Sequence, residues 1–453
     1  MKKLYRFSAI ALLVLPLVFT SCSDYLDRDD DDNITEADVF ARYEKVNGLV
    51  SDVYAAAKKA DRPLVFFEHF SNSAITDECE GTNVEGNITN NFNNGAWNPN
   101  SLPGSVGQYW EALYEGIRKA NLIIENVQKY NTPDNPQQDG DLRNRIGEMY
   151  FMRGYFHMLL LRMYGEAPYI DRVINAGDNM DFKKESVHSM VEKIVTDAQT
   201  AYGMVPNKYV KTSENFGRVD KGACLGLISF VRWVAATPLW NGASQYGYNL
   251  RRVFENEYAY DATRWRKAKE AAKAVLDFEV GGTKRYSLYT KHDANDFKDP
   301  ADGNLNDSRV YARLWDMFYD MDAFANEYVF FMTKSKDQAW QGDIYPPSRE
   351  GSSRQQPVQE QVDEYEYIVG DYGYPVYSAE ARKGGYDDTN PYVKGTRDPR
   401  FYRDVIYHGA PYRNNKNESK TINTASGSDK IGATNATTTG YYLRKFQQES
   451  WNK

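Results

Sequence analysis

The sequence predicts a mainly α-helical protein in which stacked helix pairs carry an irregular, loop-rich lobe. Two observations support this fold class. Between about residues 35 and 281, apolar side chains recur at steps of three and four residues, which is the spacing of amphipathic helices. After residue 282 the chain is rich in Tyr, Asp, Gly and Pro and has few periodic runs, which predicts the loop-rich part 282–453.

Residues 1–21 have the pattern of an export signal. Three basic residues precede a short apolar run at positions 9–19, and two small residues follow it. The run is too short to span a bilayer as a helix. Cys22 comes directly after the small residues, as in a lipobox, so we predict that Cys22 becomes the lipidated first residue of the mature protein. A simple cleaved signal with an incidental Cys is the alternative.

The segment 22–34 is predicted to be an acidic tether. Four Asp residues stand together at positions 29–32, and charges this dense repel one another and stay solvated. The spacing does not fit a calcium loop, which needs Gly at its sixth position. The formal net charge of the whole chain is −8 and no basic block interrupts it, which argues against nucleic acid as a partner.

Six amphipathic segments make up the predicted helical part, residues 35–281. The first contains apolar positions from residue 40 to residue 57, with Thr35 as its cap. The others lie at about 110–127, 142–163, 187–201, 220–234 and 265–278. Helices of this length with short connectors stack as antiparallel pairs, and small residues such as Gly154 and Ala198 let neighbours approach. The array is therefore similar to a tetratricopeptide-like one.

Residues 65–108 interrupt the helical pattern. This segment contains eight Asn residues between Asn83 and Asn100, with glycines interspersed. It cannot bury enough apolar surface to form an element of its own, and a long loop within a compact domain is usually functional.

Aromatic residues in polar surroundings indicate a sugar site. The chain has 35 Tyr, 21 Phe and 8 Trp, and many stand in loops. A sugar ring has an apolar face and a rim of hydroxyls, so it binds a flat aromatic beside amides and carboxylates. That chemistry indicates six candidate ligand residues: Trp97 with Asn94 and Asn98 in the Asn-rich segment, Asp77 before it, and Trp340 with Tyr345 in the lobe. For Trp97, a hydrophobic plug that pins the loop is the alternative.

No motif of a catalytic nucleophile or a phosphate-binding loop is present, and the five His residues are scattered. We therefore predict no enzyme activity, no catalytic residue, no metal and no cofactor. Abundant carboxylates leave a glycosidase as an alternative, although the adjacent Asp77 and Glu78 would point apart. Cys79 and Cys224 could form a disulfide or remain two buried thiols.

Several short motifs in order resemble those of SusD-like (RagB/SusD) outer-membrane lipoproteins of Bacteroidota. They are distributed from residue 22 to the end of the chain: 22–27 (CSDYLD), 76–78 (TDE), 114–121 (YEGIRKAN), 147–155 (GEMYFMRGY), 163–168 (MYGEAP), 217–223 (GRVDKGA), 236–241 (ATPLWN), 357–365, 397–401 (RDPRF) and 439–446 (TGYYLRKF).

This resemblance implies a cell-surface lipoprotein that is lipid-anchored in the outer membrane. It implies a glycan-binding role as partner of a TonB-dependent, SusC-like transporter, to which the protein delivers oligosaccharide or polysaccharide. A surface glycosidase, or a lipoprotein that captures peptides or another nutrient, is the alternative. Family members usually continue into further helices after the 439–446 motif, whereas this chain stops at Lys453. The expectation is therefore a truncated gene product or a fragment.

Overall fold

The structure is a computed structural model that describes most of the chain after residue 33. The described residues are 34–61, 69–83, 86, 88–98, 100, 104–130, 136–209, 214–242, 254–290, 317–318, 320, 326–332, 338–393, 395–413 and 419–446. The predicted signal peptide, Cys22 and the tether up to residue 33 lie outside them.

The fold is mainly α-helical, as the sequence predicted. The first part contains α1 (Glu36–Phe40), α2 (Tyr43–Ala60), α3 (Ile88–Asn93), α4 (Gly104–Tyr130), α5 (Pro136–Tyr164), α6 (Val187–Met204), α7 (Lys221–Ala236) and α8 (Ala262–Asp277). From α4 to α8 each helix packs against the next one in sequence, and α2 packs on α4 and α5. Within the described residues, no helix is both long and apolar enough to cross a membrane.

The first predicted helical segment is two helices rather than one. Thr35 caps α1 as expected, because its side chain accepts a hydrogen bond from the amide of Asp38. The chain then breaks at Arg42, whose backbone is extended (φ −114°, ψ 118°), and α2 begins at Tyr43. The sixth segment, α8, buries only Ala268 of its predicted apolar stripe, and Trp265 is 44% exposed.

Charged side chains are buried between the helices and are paired there. Glu148 of α5 is fully buried. It forms ion pairs with Arg145 and Arg218, the latter at 2.8 Å, and it accepts hydrogen bonds from the hydroxyls of Tyr54 and Tyr209. A buried carboxylate is tolerated only when charges and donors surround it in this way. The 147–155 motif thus supplies part of the helical core.

The lobe consists of short elements. Its helices are α9 (Gln338–Ile344), α10 (Gln359–Asp363), α11 (Ala379–Lys383) and α12 (Pro399–Asp404). The strands within the described residues are β1 (Cys79–Gly81), β2 (Glu279–Val280), β3 (Thr283–Lys284), β4 (Gln355–Pro357), β5 (Tyr367–Val369), β6 (Tyr372–Tyr374), β7 (Val405–Ile406), β8 (Pro411–Arg413), β9 (Ser419–Thr421) and β10 (Tyr442–Leu443). They form antiparallel pairs, β1 with β4, β2 with β3, β5 with β6, β7 with β10 and β8 with β9.

The lobe is held together by side chains that bond to the backbone. Arg397 is 2% exposed, and its guanidinium donates to the carbonyl oxygens of Val362 (2.7 Å) and Tyr365 (2.6 Å). Asp398 caps α12 by accepting from the amide of Arg400 at 2.8 Å. In a loop-rich core, such bonds give hydrogen-bond partners to backbone groups that helices and strands do not satisfy.

Candidate functional site

Strand β1 fixes the start of the Asn-rich segment against the lobe. It pairs with β4 so that Cys79 faces Pro357 and Gly81 faces Gln355. Just beyond β1, Asn83 takes a left-handed backbone conformation (φ 59°), which Asn tolerates better than most residues. Its amide donates to the carbonyl oxygen of Ala436 at 3.0 Å. The start of the Asn-rich segment is therefore fixed to the lobe by β1 and Asn83.

A buried amide, Gln356, connects three parts of the chain. Its Nε2 donates to Thr82 Oγ1 and to the carbonyl oxygen of Ser353, both at 2.6 Å. Its Oε1 accepts from the hydroxyl of Thr437 at 3.0 Å and from the amide of Thr438 at 2.7 Å. Because Gln356 is fully buried, these bonds are made without competing water.

Trp97 lies at the surface of a small apolar cluster formed by Phe70, Ala74 and Cys79. Its ring is half-buried, and the ring of Phe92 meets it edge-on at a centroid distance of 4.7 Å and an angle of 87°. Phe92, on α3, is 40% exposed. Trp97 therefore pins the segment to the cluster and also contributes to an aromatic pair, Phe92–Trp97, that is partly open to solvent.

The other predicted polar residues of this region are exposed. Asn94 is in the turn before Trp97 and Asn98 directly follows Trp97, and the side-chain oxygen of Asn98 accepts from the amide of Asn100 at 2.9 Å. Asp77 is exposed in the turn before β1. Asn94 and Asn98 share the short stretch that carries Trp97, and their role in binding stays a prediction.

Trp340 and Tyr345 are placed differently. They are 6% and 7% exposed and pack with Ile344 in a cluster of the lobe, against which Leu443 and Phe446 lie. The hydroxyl of Tyr345 donates to Gln341 Oε1 at 2.7 Å. This cluster is separate from the one under Trp97, so the two predicted tryptophans do not form one aromatic surface.

A cavity of about 530 Å³ lies beside Trp340 and β1. The rings of Trp340, Tyr365 and Phe446 provide apolar lining, and Gln361, Arg162 and Lys445 provide polar groups. Tyr365 donates its hydroxyl to Asp404 Oδ2 at 3.0 Å. Burial, together with the Asp404 carboxylate, raises the pKa of Tyr365, so this side chain stays a neutral phenol.

The described residues contain no group of three or more His, Cys, Asp or Glu arranged to hold a metal ion. Cys79 and Cys224 are free and buried, so they do not form the disulfide that the sequence left open. Burial raises the pKa of the Cys79 thiol to about 12, which keeps it protonated and unreactive at neutral pH.

Sequence reasoning missed Phe92 and Gln356. Phe92 stands five residues before Trp97 in the same Asn-rich stretch, and an aromatic in such a polar context is the same signal that singled out Trp97. Gln356 gives no local signal, because its partners outside its own loop lie up to 83 positions away on one side and 274 on the other.

A family model and a related protein each match part of this chain, and both are SusD-like. The model of a SusD-like family described as "Starch-binding associating with outer membrane" matches residues 24–231. A SusD-like protein of Formosa agariphila is 24% identical over 202 residues, which are 44% of this chain. The match spans 38% of that relative, well below two thirds of its length.

Two solved structures from Bacteroides fragilis have the same fold. A SusD-like protein matches with a TM-score of 0.67 and 18% identity, covering 95% of this chain and 72% of that one. A SusD-like carbohydrate binding protein matches with a TM-score of 0.63 and 14% identity, covering 91% and 69%. At these identities the likeness establishes the fold alone.

Proposed function

We propose, since the chain is SusD-like, that it is a carbohydrate-binding lipoprotein of the cell surface that carries out no catalysis itself. In this proposal Cys22 anchors it to the outer membrane, and it delivers oligosaccharide or polysaccharide to a TonB-dependent, SusC-like transporter. The observation that carries the proposal is the Phe92–Trp97 pair, an aromatic surface flanked by exposed amides.

The chemistry of this surface suits a sugar. The open part of an indole or phenyl face can cover the apolar face of a pyranose ring, and the side chains of Asn94 and Asn98 can each donate and accept at its hydroxyls. Asn93 keeps the pair in place, because its amide donates to the carbonyl oxygen of Ala74 at 3.2 Å. A platform fixed in this way loses little conformational entropy when it binds.

The relatives favour the same cargo. The matching family is described as starch-binding, and one of the structures with this fold is a carbohydrate binding protein. For this chain the glycan and the transporter are both part of the proposal.

Replacing the aromatic pair tests the proposal. Phe92→Ala and Trp97→Ala should each weaken binding of a neutral polysaccharide by at least about tenfold, since buried aromatic anchors commonly contribute more than ~1 kcal/mol. The measurement is affinity electrophoresis of the purified protein in gels that contain soluble starch or one of a panel of other neutral polysaccharides. Binding is then quantified by calorimetry.

Trp265→Ala is the control, because Trp265 is an exposed tryptophan on α8, outside the site. It should bind like the parent. Phe92→Ala is the cleaner of the two test variants, since Phe92 is 40% exposed and its loss costs little packing. Unchanged binding by Phe92→Ala and by a folded Trp97→Ala would exclude the aromatic pair as the site, and a parent that binds no glycan would end the proposal.

A further inference from the structure

Two cations line the cavity beside Trp340 without an ion-pair partner among the described residues. Arg162 stands in the last turn of α5 and Lys445 follows β10, and both line the cavity. Among the residues that the structure describes, neither has a carboxylate within ion-pair distance. Arg162 lies instead over the ring of Phe230 at 5.7 Å, and Lys445 over that of Phe446 at 5.2 Å. Phe230 belongs to the neighbouring apolar cavity, which Arg162 also lines, so this residue borders both cavities. Neither cation is neutralised by an ion pair within the described part of the chain.

The carboxylates of the same cavity are already engaged. Asp404 pairs with the guanidinium of Arg403, Nη2 to Oδ2 at 2.7 Å, and accepts from Tyr365. Glu78 is exposed, and its Oε2 accepts from the hydroxyl of Ser73 at 2.9 Å. Arg403 compensates the charge of Asp404, so the two cations remain against the single negative charge of Glu78, an excess of one positive charge. The lining is thus positive in a chain whose net charge is −8.

The rest of the lining has the composition of a sugar site. Trp340, Tyr365 and Phe446 contribute aromatic lining, and the amide of Gln361 can donate and accept at hydroxyls. A volume of about 530 Å³ is within the range of roughly 300–1,000 Å³ that small-ligand sites occupy. One or two sugar units can enter, whereas a folded polymer cannot.

We propose that this cavity binds an acidic sugar unit, one that carries a carboxylate or a sulfate ester, with Arg162 and Lys445 as the anion-binding residues. This inference rests on the proposed function and narrows its ligand class. The planar guanidinium of Arg162 can donate hydrogen bonds to two oxygens of the anion, and the ammonium of Lys445 acts as a point charge. The aromatic rings then hold the pyranose, and the Phe92–Trp97 pair contacts other units of the glycan.

The test uses calorimetry of the purified protein with three probes: tetragalacturonic acid, the same tetramer with its carboxylates methyl-esterified, and a sulfated galactose disaccharide. At least one of the two anionic probes should bind. If it is the tetramer, esterification should weaken binding by at least about tenfold, because a charge-assisted bond is lost at each cation. Binding of the sulfated probe alone would assign the sulfate as the recognised group.

Arg162→Gln and Lys445→Gln should each reduce affinity for the bound anionic probe by at least about tenfold. Lys430→Gln, a change at an exposed lysine of the same lobe, is the matched control and should have no effect. Equal binding of the acid and its ester, or undiminished binding by both cation variants, would overturn the inference. So would failure of both anionic probes to bind. If starch or another neutral glycan still binds through Phe92 and Trp97 in that case, the proposed function stands and only this cavity assignment falls.

Discussion

His157 shows what a single buried residue contributes to the pH dependence of this fold. It is fully buried in α5 and stacks on Tyr169 at a ring distance of 3.7 Å. Its Nε2 accepts from the amide of Ile170 at 3.0 Å, and its Nδ1 lies 2.8 Å from the carbonyl oxygen of Arg153, so the ring is neutral with the proton on Nδ1. Burial lowers the pKa of His157 to about 3.

This depressed pKa predicts acid destabilisation. The unfolded chain protonates His157 near pH 6.5, whereas the folded chain does not until about pH 3. Between those values the unfolded state binds more protons, so the free energy of unfolding falls as pH is lowered from 6.5, by up to about 1.4 kcal/mol per pH unit. Above pH 6.5 the contribution is fully present.

Urea denaturation of the parent and of His157→Gln at several pH values between 7.5 and 4 measures this effect. The variant is expected to be less stable at pH 7.5, because it loses the ring stack, and the gap between the two proteins should narrow as pH falls. A gap that stays constant over the whole range would show that His157 is not the linked group.

At the scale of elements, the contact between α4 and α5 depends on a missing side chain. A Cβ at Gly116 would overlap the ring of Phe156, which is fully buried. Overpacking a tight core costs typically about 1–3 kcal/mol, while Gly to Ala within a helix gains roughly 0.5–1 kcal/mol. Since the clash is with a buried ring, we expect Gly116→Ala to lower the free energy of unfolding by about 1–2 kcal/mol net.

Gly107→Ala separates these two effects, because a Cβ at Gly107 of the same helix meets no atom within 4 Å. That control should leave stability unchanged or raise it by up to about 1 kcal/mol. Both values come from chemical denaturation of the purified proteins. A Gly116→Ala protein as stable as the control would mean that α4 and α5 are not packed as closely as described.

At the scale of the molecule, the sequence predicts those parts of the fold whose pattern depends on residues close together in the chain. The stripe in α4 follows a local period, and α4 buries its predicted residues from Leu113 to Val127, whereas α5 is buried on all sides between residues 151 and 161. The lobe is different, because β1 pairs with β4 and β7 with β10 across long separations that leave no local pattern. For the same reason the sequence indicated Trp97 from its polar neighbours, but could not reveal that Trp340 is buried in a separate cluster.

Attachment to a membrane is also a property of the whole molecule, and we expect it to depend on Cys22. The chain carries a net charge of −8, and the block at residues 29–32 places acidic charge next to the predicted anchor. An anionic lipid surface repels such a chain, so the acyl chains must supply the binding, at ~0.8 kcal/mol per buried CH₂.

The parent expressed with its leader should therefore incorporate radiolabelled palmitate and fractionate with membranes, whereas Cys22→Ala should lose both properties. Cys224→Ala removes a buried thiol instead and should keep the label and the membrane fraction. Retention of label or of membrane association by Cys22→Ala would remove the lipid anchor from the proposal.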